Sequence, residues 1–195
     1  MSSRSYQHWA RRELLVRTVP FILIMVLAFA TAPLGQTDSD EKLVFAALGL
    51  TAALVATVLL FPWRRMPRWA GVVPAFAGLL VIVILRHAEG GAVSGYGVLA
   101  LIPVVWLALY GTRRELIVMI VVIAVAFIAP ILVFGSPEYP EAEWRRAILT
   151  TAMAAFIGFV TQNLVFEARA RTKEAVTRAR AEAEREAYVR AVMDS

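Results

Sequence analysis

The chain has 195 residues, 59% of them hydrophobic, and its mean hydropathy is +0.67. Soluble domains are about 45–50% apolar, so this composition excludes an ordinary soluble domain and predicts a membrane protein. The net charge is +5 and there is no cysteine, which excludes disulfides and cysteine-ligated zinc or iron–sulfur sites. The basic residues cluster between apolar runs, a pattern typical of loops at a membrane rather than of nucleic-acid binding.

Six apolar runs follow one another, each near the length at which a helix crosses the ~30 Å hydrocarbon core. They are Thr18–Leu34, Leu43–Phe61, Ala70–Leu85, Gly95–Tyr110, Leu116–Phe134 and Ala147–Phe166. No strand-type alternation competes with them. The sequence therefore predicts an all-α bundle of six transmembrane helices. Residues 1–17 are predicted to be a basic N-terminus, 18–166 the membrane domain and 167–195 a helical linker.

The third and fourth runs are short, and each contains a proline, Pro74 or Pro103. At ~1.5 Å per residue, sixteen residues cover only ~24 Å. Two readings fit: a pair of tilted spans, or a re-entrant hairpin whose broken backbone is covered by protein. Both leave the C-terminus on the same side.

The distribution of Lys and Arg predicts the orientation. Sixteen of the 20 basic residues lie before the first span, in two alternate loops and in the tail; the other four are Lys42, Arg86, Arg145 and Arg146. The positive-inside rule then places both termini in the cytoplasm and the protein in a plasma or inner membrane. Arg86 and Glu89 are expected near the outer rim, facing water.

The last run has no stop signal, because no Gly or Pro occurs after Gly158. Ala, Glu and Arg dominate the residues that follow, so the sixth span is predicted to continue as one helix towards Met193. Positions three and four residues apart form a seam typical of a weak coiled coil. The seam consists of Val165, Ala168, Thr172, Ala175, Ala179, Glu182, Glu186, Val189 and Met193. A dimeric signalling helix and a single solvated helix both fit it.

Two further groups of residues are candidates for function. Coupling between the membrane part and the tail is assigned to Gln162, Asn163, Ala168, Thr172 and Ala175. An outer sensing loop is assigned to Glu138, Tyr139, Glu141, Trp144, Arg145 and Arg146; the alternative is a solvated loop with interfacial aromatic anchors. The small-xxx-small patterns Gly49–Ala53 and Ala154–Gly158 permit close helix packing, either within the chain or between copies.

No cofactor is predicted. The two lysines, Lys42 and Lys173, lie outside the spans, so a retinal Schiff base has no buried lysine. The two histidines, His8 and His87, are predicted on opposite sides of the membrane, which excludes a bis-histidine haem site, and His87 is interpreted as an interfacial residue. The spans carry no central charge of the kind that pumps use, and no catalytic motif is present.

A family resemblance adds to this reading. The stretch Ala100–Leu116 (ALIPVVWLALYGTRREL), a span, and then Pro137–Arg146 (PEYPEAEWRR) resemble the N-terminal membrane region of actinobacterial-type sensory proteins. The resemblance implies a signalling helix followed by PAS, histidine kinase or diguanylate cyclase domains, and the closing AVMDS is similar to the lead-in to a PAS domain. We therefore expect the coding sequence to continue beyond Ser195.

The predicted function is a sensor and dimerisation module that relays an intramembrane stimulus through the sixth helix to a cytoplasmic output domain in the same protein. Its predicted partners are the lipid bilayer and a second copy, joined through the sixth span and tail. Two alternatives remain. A transporter or channel subunit would need a polar pathway, whereas a membrane scaffold would tolerate a change in the phase of the tail.

Overall fold

The computed structural model describes residues 22, 25–31, 40–60 and 71–193, with the backbone alone for 58–60 and 187–193. The predicted basic N-terminus and much of the first span lie outside the described residues. The described elements are α1 (helical residues 25–31), α2 (Glu41–Leu60), α3 (Val73–Ala88), a 3-10 helix (Gly95–Ala100), α4 (Leu101–Tyr110), α5 (Arg113–Val133) and α6 (Ala142–Met193). Within these ranges all regular structure is helical, which confirms the predicted all-α class.

The third and fourth runs form α-helices with a proline in the first turn. Pro74 is the second residue of α3, and Pro103 is the third residue of α4, just after the 3-10 helix Gly95–Ala100. A proline in the first turn removes no α-helical hydrogen bond, so neither proline breaks its α-helix. The 3-10 segment rises ~2.0 Å per residue, so Gly95–Tyr110 covers ~27 Å instead of ~24 Å.

Two described helices are long and apolar enough to cross a membrane by length and composition, α5 and residues Ala142–Glu186 of α6. Val73–Ala88 and Gly95–Tyr110 are shorter apolar helices. A capping box starts α5: the Thr112 hydroxyl accepts from the Glu115 amide at 3.4 Å, and the Glu115 carboxylate accepts from the Thr112 amide at 2.6 Å. The capping box fixes where α5 begins, because it supplies acceptors for the Thr112 and Glu115 amides, which have no partner within the helix.

The last helix runs through 52 residues without interruption, from Ala142 to Met193, which is ~78 Å. This confirms that the sixth span continues into the tail as one helix. It begins five residues before the predicted start at Ala147, immediately after the turn that follows Pro140. Side chains from 166 to 186 are exposed. The pairs Glu167–Arg171 (3.8 Å) and Glu174–Arg178 (3.7 Å) lie along this exposed surface.

The core lies between α3, α4, α5 and α6, and the largest side chains in it come from the first three of these helices. Leu85, Leu107, Ile123 and Phe127 are each at most 2% exposed. Apart from Glu143 in its first turn, the buried residues of α6 are small and include Ala147 and Ala154. Small residues let α6 approach its neighbours closely, so the Ala154–Gly158 pattern serves packing within the chain.

Gly158 is the closest point of this packing. A Cβ atom there would lie 3.0 Å from both the Leu116 and the Val104 side chain, whereas one at Gly49 in α2 meets nothing within 4 Å. We expect Gly158→Val to lower the free energy of unfolding by about 1–3 kcal/mol through overpacking. Gly49→Val is the matched control. SDS-induced unfolding in mixed micelles measures both, and equal stability of the two variants would contradict this packing.

Candidate functional site

A buried ion pair joins the end of α3 to the beginning of α6. Nη2 of Arg86 lies 2.5 Å from Oε2 of Glu143, and Nη1 of Arg146 lies 2.8 Å from the other carboxylate oxygen. The Arg86 and Glu143 side chains are only 4% and 5% exposed, whereas that of Arg146 is 50% exposed. We call these three residues the charge cluster, and the end of the bundle that holds them the Glu143 end.

The positions of the two buried charges follow from the helices that carry them. Arg86 occupies the last turn of α3 and Glu143 the first turn of α6. A cation at a helix C-terminus and an anion at an N-terminus each interact favourably with the helix dipole. With two arginines against one carboxylate, the cluster carries a formal charge of +1.

Aromatic rings surround the buried guanidinium. The Arg86 Cζ lies 4.3 Å from the centre of the Phe127 ring and 5.5 Å from that of Tyr139, both distances typical of cation–π contacts. The Arg86 Nε is buried and has no hydrogen-bond partner within the described part of the chain. The Nη2 atom of Arg86 is therefore paired with a carboxylate, whereas the Nε–H group of the same guanidinium lacks an acceptor.

Tyr139, in the loop between α5 and α6, folds back over the end of α3. Its hydroxyl lies 3.1 Å from Nδ1 of His87, and its ring packs against Gly91, where a Cβ atom would lie 2.6 Å from the ring. Burial raises the pKa of Tyr139 above its usual value of 10, although the nearby Arg86 acts in the opposite direction. The hydroxyl therefore stays protonated at physiological pH and can donate to the imidazole nitrogen.

The loop after α3 also takes part. Gly90 and Gly91 have positive φ angles of 81° and 61°, which turn the chain sharply. The Gly91 amide donates to the Arg86 carbonyl at 2.9 Å, and Nη1 of Arg146 donates to the Ala92 carbonyl. The loop after α3 is thus hydrogen-bonded both to Arg86 of α3 and to Arg146 of α6.

Further hydrogen bonds connect the Glu143 end to the first two helices. The Tyr96 hydroxyl donates to the Ala28 carbonyl of α1 at 2.8 Å, and the Asp40 amide donates to the Ala88 carbonyl at 3.0 Å. Glu89 lies close to Tyr96 and is only 9% exposed. The Glu143 end therefore joins α1, the start of α2, α3 and the 3-10 helix through hydrogen bonds.

The predicted sensing residues divide into two groups in this arrangement. Tyr139 is buried and Arg146 belongs to the charge cluster, whereas the side chains of Glu138, Glu141, Trp144 and Arg145 are exposed. The expectation that Arg86 and Glu89 face water was wrong, because both side chains are buried, Arg86 against Glu143 of α6 and Glu89 close to Tyr96.

Sequence reasoning missed Arg86, His87 and Glu143 as members of a site. One signal was available: Glu143 and Arg146 are three residues apart, which puts them on one helix face. The contact to Arg86 was not available, because it joins residues 57 positions apart.

The predicted coupling residues lie towards the opposite end of α6, which we call the tail end. Gln162 is half-buried, and Asn163, Ala168, Thr172 and Ala175 are exposed. Two arginines at the tail end contact neighbouring helices. Nη2 of Arg169 donates to the Leu109 carbonyl at 2.7 Å, and the Arg113 guanidinium lies 5.7 Å from the centre of the Phe159 ring.

A family model described as the PilS-like transmembrane domain, a six-span (6TM) domain, matches residues 3–179. The chain belongs to this family. The matched region of the PilS-like domain contains both the charge cluster and the first part of the tail. No curated protein and no solved structure matches the chain.

Membership of the PilS-like family bears on two predictions made from the sequence of this chain. A six-span family agrees with the reading of Val73–Ala88 and Gly95–Tyr110 as two spans, the first of the two readings that the sequence left open. A six-span domain of this kind also indicates a multi-pass membrane sensor module of signalling proteins. This agrees with the resemblance to membrane sensor regions.

The charge cluster gives a stability prediction. Glu143→Gln leaves the Arg86 charge buried without a counter-ion, so we expect the free energy of unfolding to fall by about 3–5 kcal/mol. Replacing both partners, as Arg86→Met with Glu143→Leu, should recover most of this loss. Glu141→Gln, an exposed position in the α5–α6 loop two residues before Glu143, is the control. A double variant less stable than Glu143→Gln would contradict the pairing.

The two loop glycines give a second prediction. Gly90→Ala and Gly91→Ala both place a side chain at positive φ, a strain of about 1–3 kcal/mol each. At Gly91 alone, the new methyl group also meets the Tyr139 ring. We expect Gly91→Ala to expose Tyr139, seen as increased iodination or proteolysis of the α5–α6 loop, and Gly90→Ala to leave the loop protected. Equal reactivity would show that Gly91 is not needed for the seating of Tyr139.

Proposed function

We propose that the chain is the membrane-embedded sensor and dimerisation module of a bacterial signal-transduction protein. A stimulus received in the bilayer, or at the Glu143 end, shifts α6. The helix then transmits the shift to a cytoplasmic histidine kinase or cyclase domain in the same protein. The family membership supports the coarser part of this proposal, a membrane sensor module.

One observation carries the proposal. The same unbroken helix holds Glu143 in a buried ion pair and, from residue 166 onwards, an exposed tail with a heptad seam. An uninterrupted helix resists local bending, so movement at its first turn is carried along it towards the tail. A helix interrupted by Gly or Pro would lose this coupling by bending.

The orientation in this proposal has both termini in the cytoplasm of an inner or plasma membrane. Arg113 and Arg114 lie at the start of α5, at the end of the bundle where the basic tail leaves it. The positive-inside rule places this tail end in the cytoplasm, and therefore the Glu143 end outside. Within the charge cluster, a stimulus from outside would reach Arg146 first, because its side chain is half exposed whereas those of Arg86 and Glu143 are buried.

The tail supports a dimer. Ala168, Thr172 and Ala175 are exposed, small and spaced by four and three residues. A seam of Ala and Thr gives weak pairing on its own, which suits an element that must change between two arrangements. The membrane domains would hold two tails close enough to pair.

Transport fits the described bundle less well. Thr51, Thr57 and Thr151 each donate a hydrogen bond to the carbonyl four residues earlier in their own helix. Their hydroxyls are therefore used locally and do not combine into a polar pathway. The buried charges, among the described residues, lie at the Glu143 end and not at mid-depth.

The test uses the natural absence of cysteine. Single cysteines at Ala168, Thr172 and Ala175 should cross-link between protomers in membranes, whereas cysteines at Ala170 and Lys173 should cross-link several-fold less. The same panel in a Glu143→Gln background should show a changed pattern, because α6 has lost its partner on α3. In a Glu141→Gln background the pattern should stay as in the parent.

Two outcomes would count against this function. Uniform cross-linking along the tail would reject the dimeric seam. A periodic pattern that Glu143→Gln leaves unaltered would reject coupling between the charge cluster and the tail.

A further inference from the structure

Arg169 connects the exposed tail of α6 to the end of α4. Its Nη2 donates to the carbonyl oxygen of Leu109 at 2.7 Å, across 60 positions of sequence. Leu109 is the next-to-last residue of α4, where helix carbonyls lack an intrahelical donor. A guanidinium at this position makes a charge-assisted hydrogen bond and also faces the negative end of the helix dipole.

The local sequence leaves Arg169 available for this contact. Arg171 and Arg178 each have a glutamate four residues earlier and pair with it along the tail. The positions three and four residues from Arg169 hold no carboxylate; they are Val165, Phe166, Thr172 and Lys173. No carboxylate at helical spacing on its own helix therefore competes with the Leu109 carbonyl for Arg169.

The contact also defines which face of the tail looks away from the bundle. At ~100° per residue, Ala168, Thr172 and Ala175 lie about 60–120° around the helix axis from Arg169, all in the same direction. When Arg169 faces α4, the seam therefore points to one side of α4 and is not covered by it. The bond to Leu109 and pairing of the seam with a second copy can exist together.

The geometry points to Arg169 as a positioning residue that sets the rotational phase of the tail. Its bond to Leu109 is the pivot about which α6 turns when the charge cluster changes, ~39 Å away along the helix. This inference rests on the proposed function, because the phase of the tail matters only if the seam pairs. It deepens that proposal by naming the contact that presents the seam.

The direct test measures the position of the tail within one protomer. Spin labels are attached to Arg114→Cys in α5 and Lys173→Cys in the tail, both exposed, and labelled chains are diluted with unlabelled ones before reconstitution. Pulsed EPR then reports the distance between the labels. We expect one narrow distribution, and an increase in its width of about twofold with Arg169→Ala, because the tail loses its tertiary hydrogen bond.

Arg171→Ala is the matched control, because it removes the same side chain two residues away, where the partner is Glu167 on the same helix. It should leave the distance distribution unchanged. Arg169→Lys keeps the charge and a donor, so it should restore part of the narrow distribution. Equal distributions for Arg169→Ala and Arg171→Ala would overturn the inference, as would a broad distribution with Arg169 intact.

Seam cross-linking separates this inference from the proposed function. With Arg169→Ala, the several-fold preference for Ala168→Cys over Ala170→Cys should disappear, whereas Arg171→Ala should retain it. If the seam never cross-links but the EPR distance still depends on Arg169, the dimer proposal fails and the positioning role stands. If the seam cross-links periodically regardless of Arg169, the dimer stands and the positioning role is rejected.

Discussion

The need to neutralise a buried guanidinium organises the Glu143 end of the bundle. Removing an arginine from water costs several kcal/mol unless a counter-ion and further donors and acceptors compensate. Arg86 obtains its counter-ion from Glu143 on α6 and its remaining contacts from the Phe127 and Tyr139 rings. The start of α6 and the α5–α6 loop supply these contacts, and the glycine turn after α3 packs against Tyr139.

The features that sequence predicted correctly are local. Apolar runs and the absence of Gly and Pro after Gly158 predicted the all-α class and the continuous last helix, because both depend on neighbouring residues. Helix starts were less accurate: α6 begins before Ala147, since a polar first turn does not register in hydropathy. The ion pair of Arg86 was beyond prediction, because its partner Glu143 lies 57 positions away and a charge near a span end also fits contact with water.

In the candidate sites, too, local features were predictable from sequence and contacts between distant residues were not. The α5–α6 loop was selected for its mixture of charge and aromatic residues, but such composition does not distinguish Tyr139, which is buried, from Trp144, which is exposed. At the tail end, small residues at heptad spacing predict a seam. The contact that we propose to orient this seam depends on a backbone carbonyl at Leu109, and a carbonyl has no signature in sequence.

The small buried side chains of α6 have a mechanical consequence. Helices that interlock through large residues must repack when they move, and each step costs several side-chain rearrangements. Beyond Glu143, the fully buried positions among the described residues of α6 are Ala147, Ala154 and Gly158, so few large side chains of α6 interlock with its neighbours. A small slide or turn of α6 therefore needs fewer side-chain rearrangements than it would between two helices with large buried residues. The polar contacts of Glu143 and Arg169 add directional restraints towards the two ends of the bundle.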